Sequence, residues 1–129
     1  MSDAGRILIV DDEPSLLKMM SIYLRRLGYS VGVAGSAEAA LAEVEAAPRS
    51  FAVAVLDASM SGIGLEDLVA RMLAACPRLC VIAASGYPVD MAPLQAAAPG
   101  RVMFLHKPFS PESLGNAVRR MIATQEEDV

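Results

Sequence analysis

Histidine and cysteine are nearly missing from this chain: His106 stands alone, and Cys76 and Cys80 are the two thiols in 129 residues. With no further Cys or His cluster a zinc site has too few ligands, and the two cysteines lie so near each other that a disulfide would close only a very short loop. They read as two small apolar side chains. Long hydrophobic runs are missing as well. Hydrophobic residues make up 54% of the chain, yet runs such as Phe51 to Leu56 and Leu79 to Ala84 stop far short of the ~20 residues that a membrane helix needs. Nor is there a run of Lys or Arg. Eleven basic and fifteen acidic side chains leave a net charge of -4, which argues against direct binding to nucleic acid. The N-terminal part reaches the apolar run Ile7 to Val10 within a few residues and turns acidic at Asp11, Asp12 and Glu13, unlike a secretory signal. A cytoplasmic location and no membrane contact are expected.

What the sequence does contain is a regular alternation of short apolar runs and helical patterns. Runs rich in β-formers cover Arg6 to Val10, Tyr29 to Ala34, Phe51 to Leu56, Leu79 to Ala84 and Arg101 to Leu105. Between them, Ser15 to Leu27 places Leu16, Met19, Met20, Tyr23, Leu24 and Leu27 at helical spacing and stops at Gly28. Ser36 to Ala47, Leu65 to Ala75 and Pro111 to Ala123 read as further helices. Pro88, Pro93 and Pro99 break up an Ala-rich stretch, so the spacing predicts a short or distorted fourth helix there. Continuous apolar strands belong to sheets covered on both faces. The expectation is one α/β domain over 1–129, a doubly wound five-stranded parallel sheet with its core at about 6–123 and a polar tail at 124–129. No internal repeat or linker is present. In such sheets ligands bind beyond the carboxyl ends of the strands.

At those ends the sequence concentrates charge. The first strand leads into Asp11, Asp12 and Glu13, the third into Asp57, the fourth into Ser85 and Gly86, and the fifth into His106, Lys107, Pro108 and Phe109. Each has a plainer explanation alone: Asp12 or Glu13 before Pro14 as a helix cap, Asp57 as a loop cap, Ser85 as a turn opener, Lys107 as a solvated amine. Together, carboxylates brought to one edge of a sheet repel one another unless a cation intervenes. An oxygen-only set suits a hard ion, Mg²⁺ or Mn²⁺, and Lys107 adds a point charge suited to a phosphate oxygen. These are the parts that phosphoryl transfer to a carboxylate requires.

The runs ILIVDDEP at Ile7 to Pro14, VLD at Val55 to Asp57, ASGY at Ala84 to Tyr87 and HKPF at His106 to Phe109 carry a resemblance to the receiver domains of two-component response regulators. It spans Arg6 to about Ala123. The resemblance implies a flavodoxin-like sheet of strand order 2-1-3-4-5, with Asp57 accepting a phosphoryl group from a phosphohistidine on a sensor histidine kinase or phosphotransfer domain. It also implies a metal held by Asp11, Asp12, Asp57 and the backbone carbonyl of Ser59. Ser85 and Lys107 would hold the phosphoryl oxygens, Ser85 and Phe104 would act as the switch pair, and the peptide before Pro108 would be cis. The family carries a proline in the loop after its phosphorylated aspartate, whereas Met60 to Gly64 lacks it and is one residue shorter, which predicts a looser loop.

Three functional readings follow. The first is a phosphorylation-controlled signalling switch of a two-component system, with no enzymatic activity beyond phosphorylation and dephosphorylation of its own Asp57. The second is a pseudo-receiver that acts as an interaction module without phosphorylation. The third, a small phosphohydrolase with Asp57 as covalent nucleophile, is disfavoured because those enzymes resemble one another in an aspartate two residues further on, where this chain has Ser59. Lys18, Arg25 and Arg26 beside Met19 and Ile22 either dock a phosphohistidine-bearing helix bundle or form an ordinary solvated helix face. The downstream protein partner is not named by the sequence, and the molecule is expected to be a monomer or weak dimer.

Overall fold

The computed structural model describes residues 5–127. Five parallel strands lie in the order β2-β1-β3-β4-β5. They are β1 (Arg6–Val10), β2 (Ser30–Ala34), β3 (Phe51–Asp57), β4 (Cys80–Ser85) and β5 (Val102–His106). Five helices connect and follow them: α1 (Pro14–Arg26), α2 (Ala37–Ala46), α3 (Leu65–Ala75), α4 (Ala92–Ala97) and α5 (Pro111–Glu127). The strand order is the one that the family resemblance implies.

Because side chains alternate across a strand, each strand feeds two cores. Leu8, Val10, Ala54, Leu56, Val81 and Ala83 pack with α2, α3 and α4 on one face. Ile7, Ile9, Val53, Val55, Cys80 and Ile82 pack with α1 and α5 on the other. All seven residues of β3 are buried, as a central strand covered on both faces must be. Its start is irregular: Arg6 pairs with Phe51 but Ile7 pairs with Val53, so Ala52 is an extra residue. That bulge lets Phe51 face one core and Val53 the other despite their even spacing.

The helix boundaries follow local chemistry. α1 opens with Pro14 in its first turn and ends before Gly28, whose φ of 102° is open to glycine at little cost. The Ser36 hydroxyl accepts the Ala39 N–H at 3.0 Å and starts α2. α4 has six residues, because Pro93 is tolerated only in a first turn and Pro99 follows close behind. α5 runs past the boundary at Ala123 to Glu127. Its extension is held by tertiary bonds: the Gln125 amide donates to the Ala52 carbonyl at 3.1 Å and the Arg78 carbonyl at 2.9 Å. No described helix is long and apolar enough to cross a membrane.

Candidate functional site

β1 lies between β2 and β3, so the chain leaves the sheet in opposite directions on its two sides and a crevice opens at the carboxyl ends of β1 and β3. Asp11 follows β1 and is 2% exposed, and Asp57 closes β3 at 7% exposed. Asp12, next along the chain, is exposed. One carboxylate oxygen from each of the three lies within 4.8 Å of the others. The helix-capping alternative for this acidic run is not what the structure shows, since Glu13 stands at the α1 N-cap without a side-chain cap bond. Asp11 Oδ1 instead accepts the Glu13 N–H at 3.0 Å.

Lys107, just beyond β5, is far from a free surface amine. Its Nζ donates to Asp11 Oδ2 at 3.0 Å and lies 3.4 Å from Asp57 Oδ2. Burial pulls the amine's pKa down, but the bond to Asp11 and the charges of Asp11 and Asp57 outweigh it, so Lys107 sits above its usual value and stays charged. The peptide between Lys107 and Pro108 is cis, as the resemblance implies. Burial likewise pushes the Asp57 carboxyl up. The hydroxyl and amide of Ser59 and the Lys107 charge overcome that push, leaving Asp57 below the usual carboxylate value.

Asp57 Oδ1 takes both Ser59 donors, the N–H at 3.0 Å and the hydroxyl at 2.7 Å. The side-chain bond was not legible from sequence; a Ser two positions after an Asp is the one available signal, because that spacing allows local side-chain turns. Ser85 ends β4 beside Asp57 and is 3% exposed. Its hydroxyl accepts the Tyr87 N–H at 3.0 Å, so the local turn is formed at this serine. Phe104, half-buried on β5, sets its ring edge-on to His106 at 6.2 Å between centroids. In the loop after Asp57, Gly62 has φ of 100°, and a Cβ there would lie 2.9 Å from Glu38 Oε2 of α2. The loop lacking its proline thus lies against α2.

Carboxylate oxygens without imidazole or thiol fit a hard divalent ion such as Mg²⁺. The charge balance supports that fit, because the three clustered carboxylates outnumber the one amine that pairs with two of them. Next to the crevice, Lys18, Met19, Ile22, Tyr23 and Arg26 of α1 and Pro111 of α5 line a groove of about 450 Å³. Arg25 points elsewhere, its guanidinium donating to the Val31 carbonyl at 3.0 Å on the edge strand.

Comparison with known proteins places these features in a family. The model described as the response regulator receiver domain matches residues 7–119. Over 95% of its length the chain is 30% identical to the alginate biosynthesis transcriptional regulatory protein AlgB of Pseudomonas aeruginosa, of which it covers 27%. It is 31% identical to the DNA-binding response regulator MtrA of Mycolicibacterium smegmatis, covering 95% of this chain and 53% of that protein. The chain therefore spans between a quarter and about half of these two relatives. A CheY-like receiver domain structure from Methanospirillum hungatei superposes with a TM-score of 0.83 at 26% identity, covering 97% of this chain and 98% of the other.

Proposed function

We propose, because this chain belongs to the receiver domain family of two-component response regulators, that Asp57 is its phosphoryl acceptor and Lys107 its phosphate-facing cation. As a receiver domain it is a module of two-component signalling, and receiver domains bind Mg²⁺ at an acidic cluster and are in general not enzymes. Here that cluster is Asp11, Asp12 and Asp57, with the Ser59 carbonyl as a further oxygen donor. The observation that carries the reading is one amine placed between two buried carboxylates, with a third at the crevice mouth.

When bound, the divalent ion neutralises phosphoryl oxygens and offsets the repulsion between carboxylates. The rest is done by side chains. Asp57, held ionised by Ser59 and Lys107, attacks the phosphorus of a phosphohistidine or small acyl phosphate in line. Lys107 turns its point charge from Asp11 and Asp57 to the incoming oxygens. The Ser85 hydroxyl, whose oxygen accepts the Tyr87 N–H, donates its proton to a phosphoryl oxygen, and Phe104 and His106 follow on β5. The new group brings roughly two negative charges and 1–3 charge-assisted hydrogen bonds, against the about 5.5 kcal/mol needed to carry a two-state switch from mostly off to mostly on. The donor is a sensor histidine kinase or phosphotransfer protein, and the groove with Met19 and Ile22 between Lys18 and Arg26 suits an amphipathic helix with acidic flanks.

The loop without its proline favours one other reading, an interaction module that has lost phosphorylation. Incubation with Mg²⁺ and acetyl phosphate decides between them. An acid-stable, base-labile mass gain of one phosphoryl group is expected, absent in Asp57→Asn and in excess EDTA. No gain in the native chain would leave the interaction module standing.

A further inference from the structure

The sheet has two open edges, β2 and β5. An edge strand turns alternate backbone groups away from its neighbour, where they can pair with another chain. On β2 the direction of each residue follows from one bond. The Asp11 N–H reaches the Ala34 carbonyl at 3.2 Å, so Ala34, Gly32 and Ser30 face β1, and Val31 and Val33 between them face outward.

The β2 strand itself has nothing that discourages pairing. Its sequence, Ser-Val-Gly-Val-Ala, holds no charge and no proline, its register with β1 is regular, and Val33 is 46% exposed. Protection comes instead from the helix before it. Arg25 Nη2 donates to the outward carbonyl of Val31 at 3.0 Å, which lays a guanidinium where a further strand would run. Just ahead of the strand, the Tyr29 N–H is taken up by the Leu24 carbonyl at 3.2 Å. The other edge is closed in the same manner. There the Lys107 N–H goes to the Ser85 carbonyl at 2.9 Å, so Val102 faces outward, and the Gln95 amide of α4 donates to the Val102 carbonyl at 3.2 Å.

We propose that Arg25 is a guard that keeps two copies of this chain from joining their sheets, β2 against β2. The strand itself selects a second copy as the occupant. Two such edges related by a two-fold axis run antiparallel and present the same outward pair, Val31 and Val33, so that donors meet acceptors. No charge on either strand opposes the contact. With Arg25 in place, pairing has to break both guanidinium bonds and bring two like charges to one seam; with a small side chain neither obstacle exists. Arg25 stands in the last turn of α1, at the opposite end of that helix from Asp11 and Asp57, so the guard works whether or not Asp57 is phosphorylated.

Analytical ultracentrifugation from micromolar to millimolar protein compares the native chain, Arg25→Ala, Arg25→Lys, and Arg25→Ala combined with Val33→Lys. Arg25 is exposed, so its replacement leaves the core intact. Arg25→Ala is expected to dimerise at about tenfold lower concentration than the native chain, the worth of roughly one capping hydrogen bond. Arg25→Lys keeps the charge without the planar fork and falls between the two. Adding Val33→Lys sets a charge on each strand and restores the native behaviour. In the Arg25→Ala dimer the outward Val33 amide gains protection from hydrogen exchange, because only a strand laid along this edge bonds it. An unchanged association of Arg25→Ala overturns the proposal. So does a dimer whose Val33 amide exchanges as fast as in the monomer, or one that survives Val33→Lys.

Discussion

Lys107 sets one positive charge against a site built of carboxylates. Its amine is 3.0 Å from Asp11 and 3.4 Å from Asp57, both nearly buried. Removing one partner of a buried ion pair is costly chiefly because the other charge is left without compensation, on the order of 3–5 kcal/mol when burial is complete. Here the Lys107 side chain is 22% exposed, so screening by water reduces the cost, and Lys107→Ala should lose about 1–3 kcal/mol in urea denaturation without metal. Millimolar Mg²⁺ should narrow the gap between variant and native chain, because a divalent ion offsets the same carboxylates. A gap that stays fixed as Mg²⁺ is added would mean that amine and ion do not share this charge cluster.

The elements that position the site differ in how far their sequence discloses them. β1, β3 and α1 to α3 have bounds within one residue of those expected, since apolar runs, prolines and Gly28 act locally. Asp11, Asp12, Asp57 and Lys107 were legible for the same reason, as charges placed just where buried strands end. The sequence pattern ends α5 at Ala123, because Gln125 gains its partners from β3 and the residues before β4, contacts that no periodicity records. The approach of Glu38 to the loop is likewise tertiary. That loop, without its proline, turns through Gly62 at φ 100° directly against the Glu38 carboxylate. An L side chain in a left-handed conformation costs roughly 1–2 kcal/mol, so Gly62→Ala should lower stability by about that amount in thermal or urea unfolding. Glu38 is a flexible chain end and can move aside, so adding Glu38→Ala should restore little. Full recovery in the double variant would show that crowding, not backbone strain, limits the loop.

Across the whole molecule, two apolar cores fill the faces of the sheet while the ionisable cluster is confined to one edge, which separates what holds the fold from what titrates. The two shifted groups there act on stability in opposite pH ranges. Asp57 is held below its ordinary value, so the stability it contributes is present above about pH 4 and is lost as pH falls through its folded-state pKa. Lys107 is held above its ordinary value, so its contribution is complete below about pH 10 and is lost as pH rises through the raised folded-state pKa. Between those limits both contributions are present in full. Asp57→Asn keeps the shape of the side chain but removes the acid-side titration. The stability of the native chain relative to Asp57→Asn, both metal-free, should therefore be constant from about pH 6 to 8 and decline as pH is lowered below about 4. Urea titrations across that range measure it directly. A relative stability that instead rises on acidification would mean that burial and the neighbouring carboxylates dominate Asp57, and that Ser59 and Lys107 do not hold it ionised.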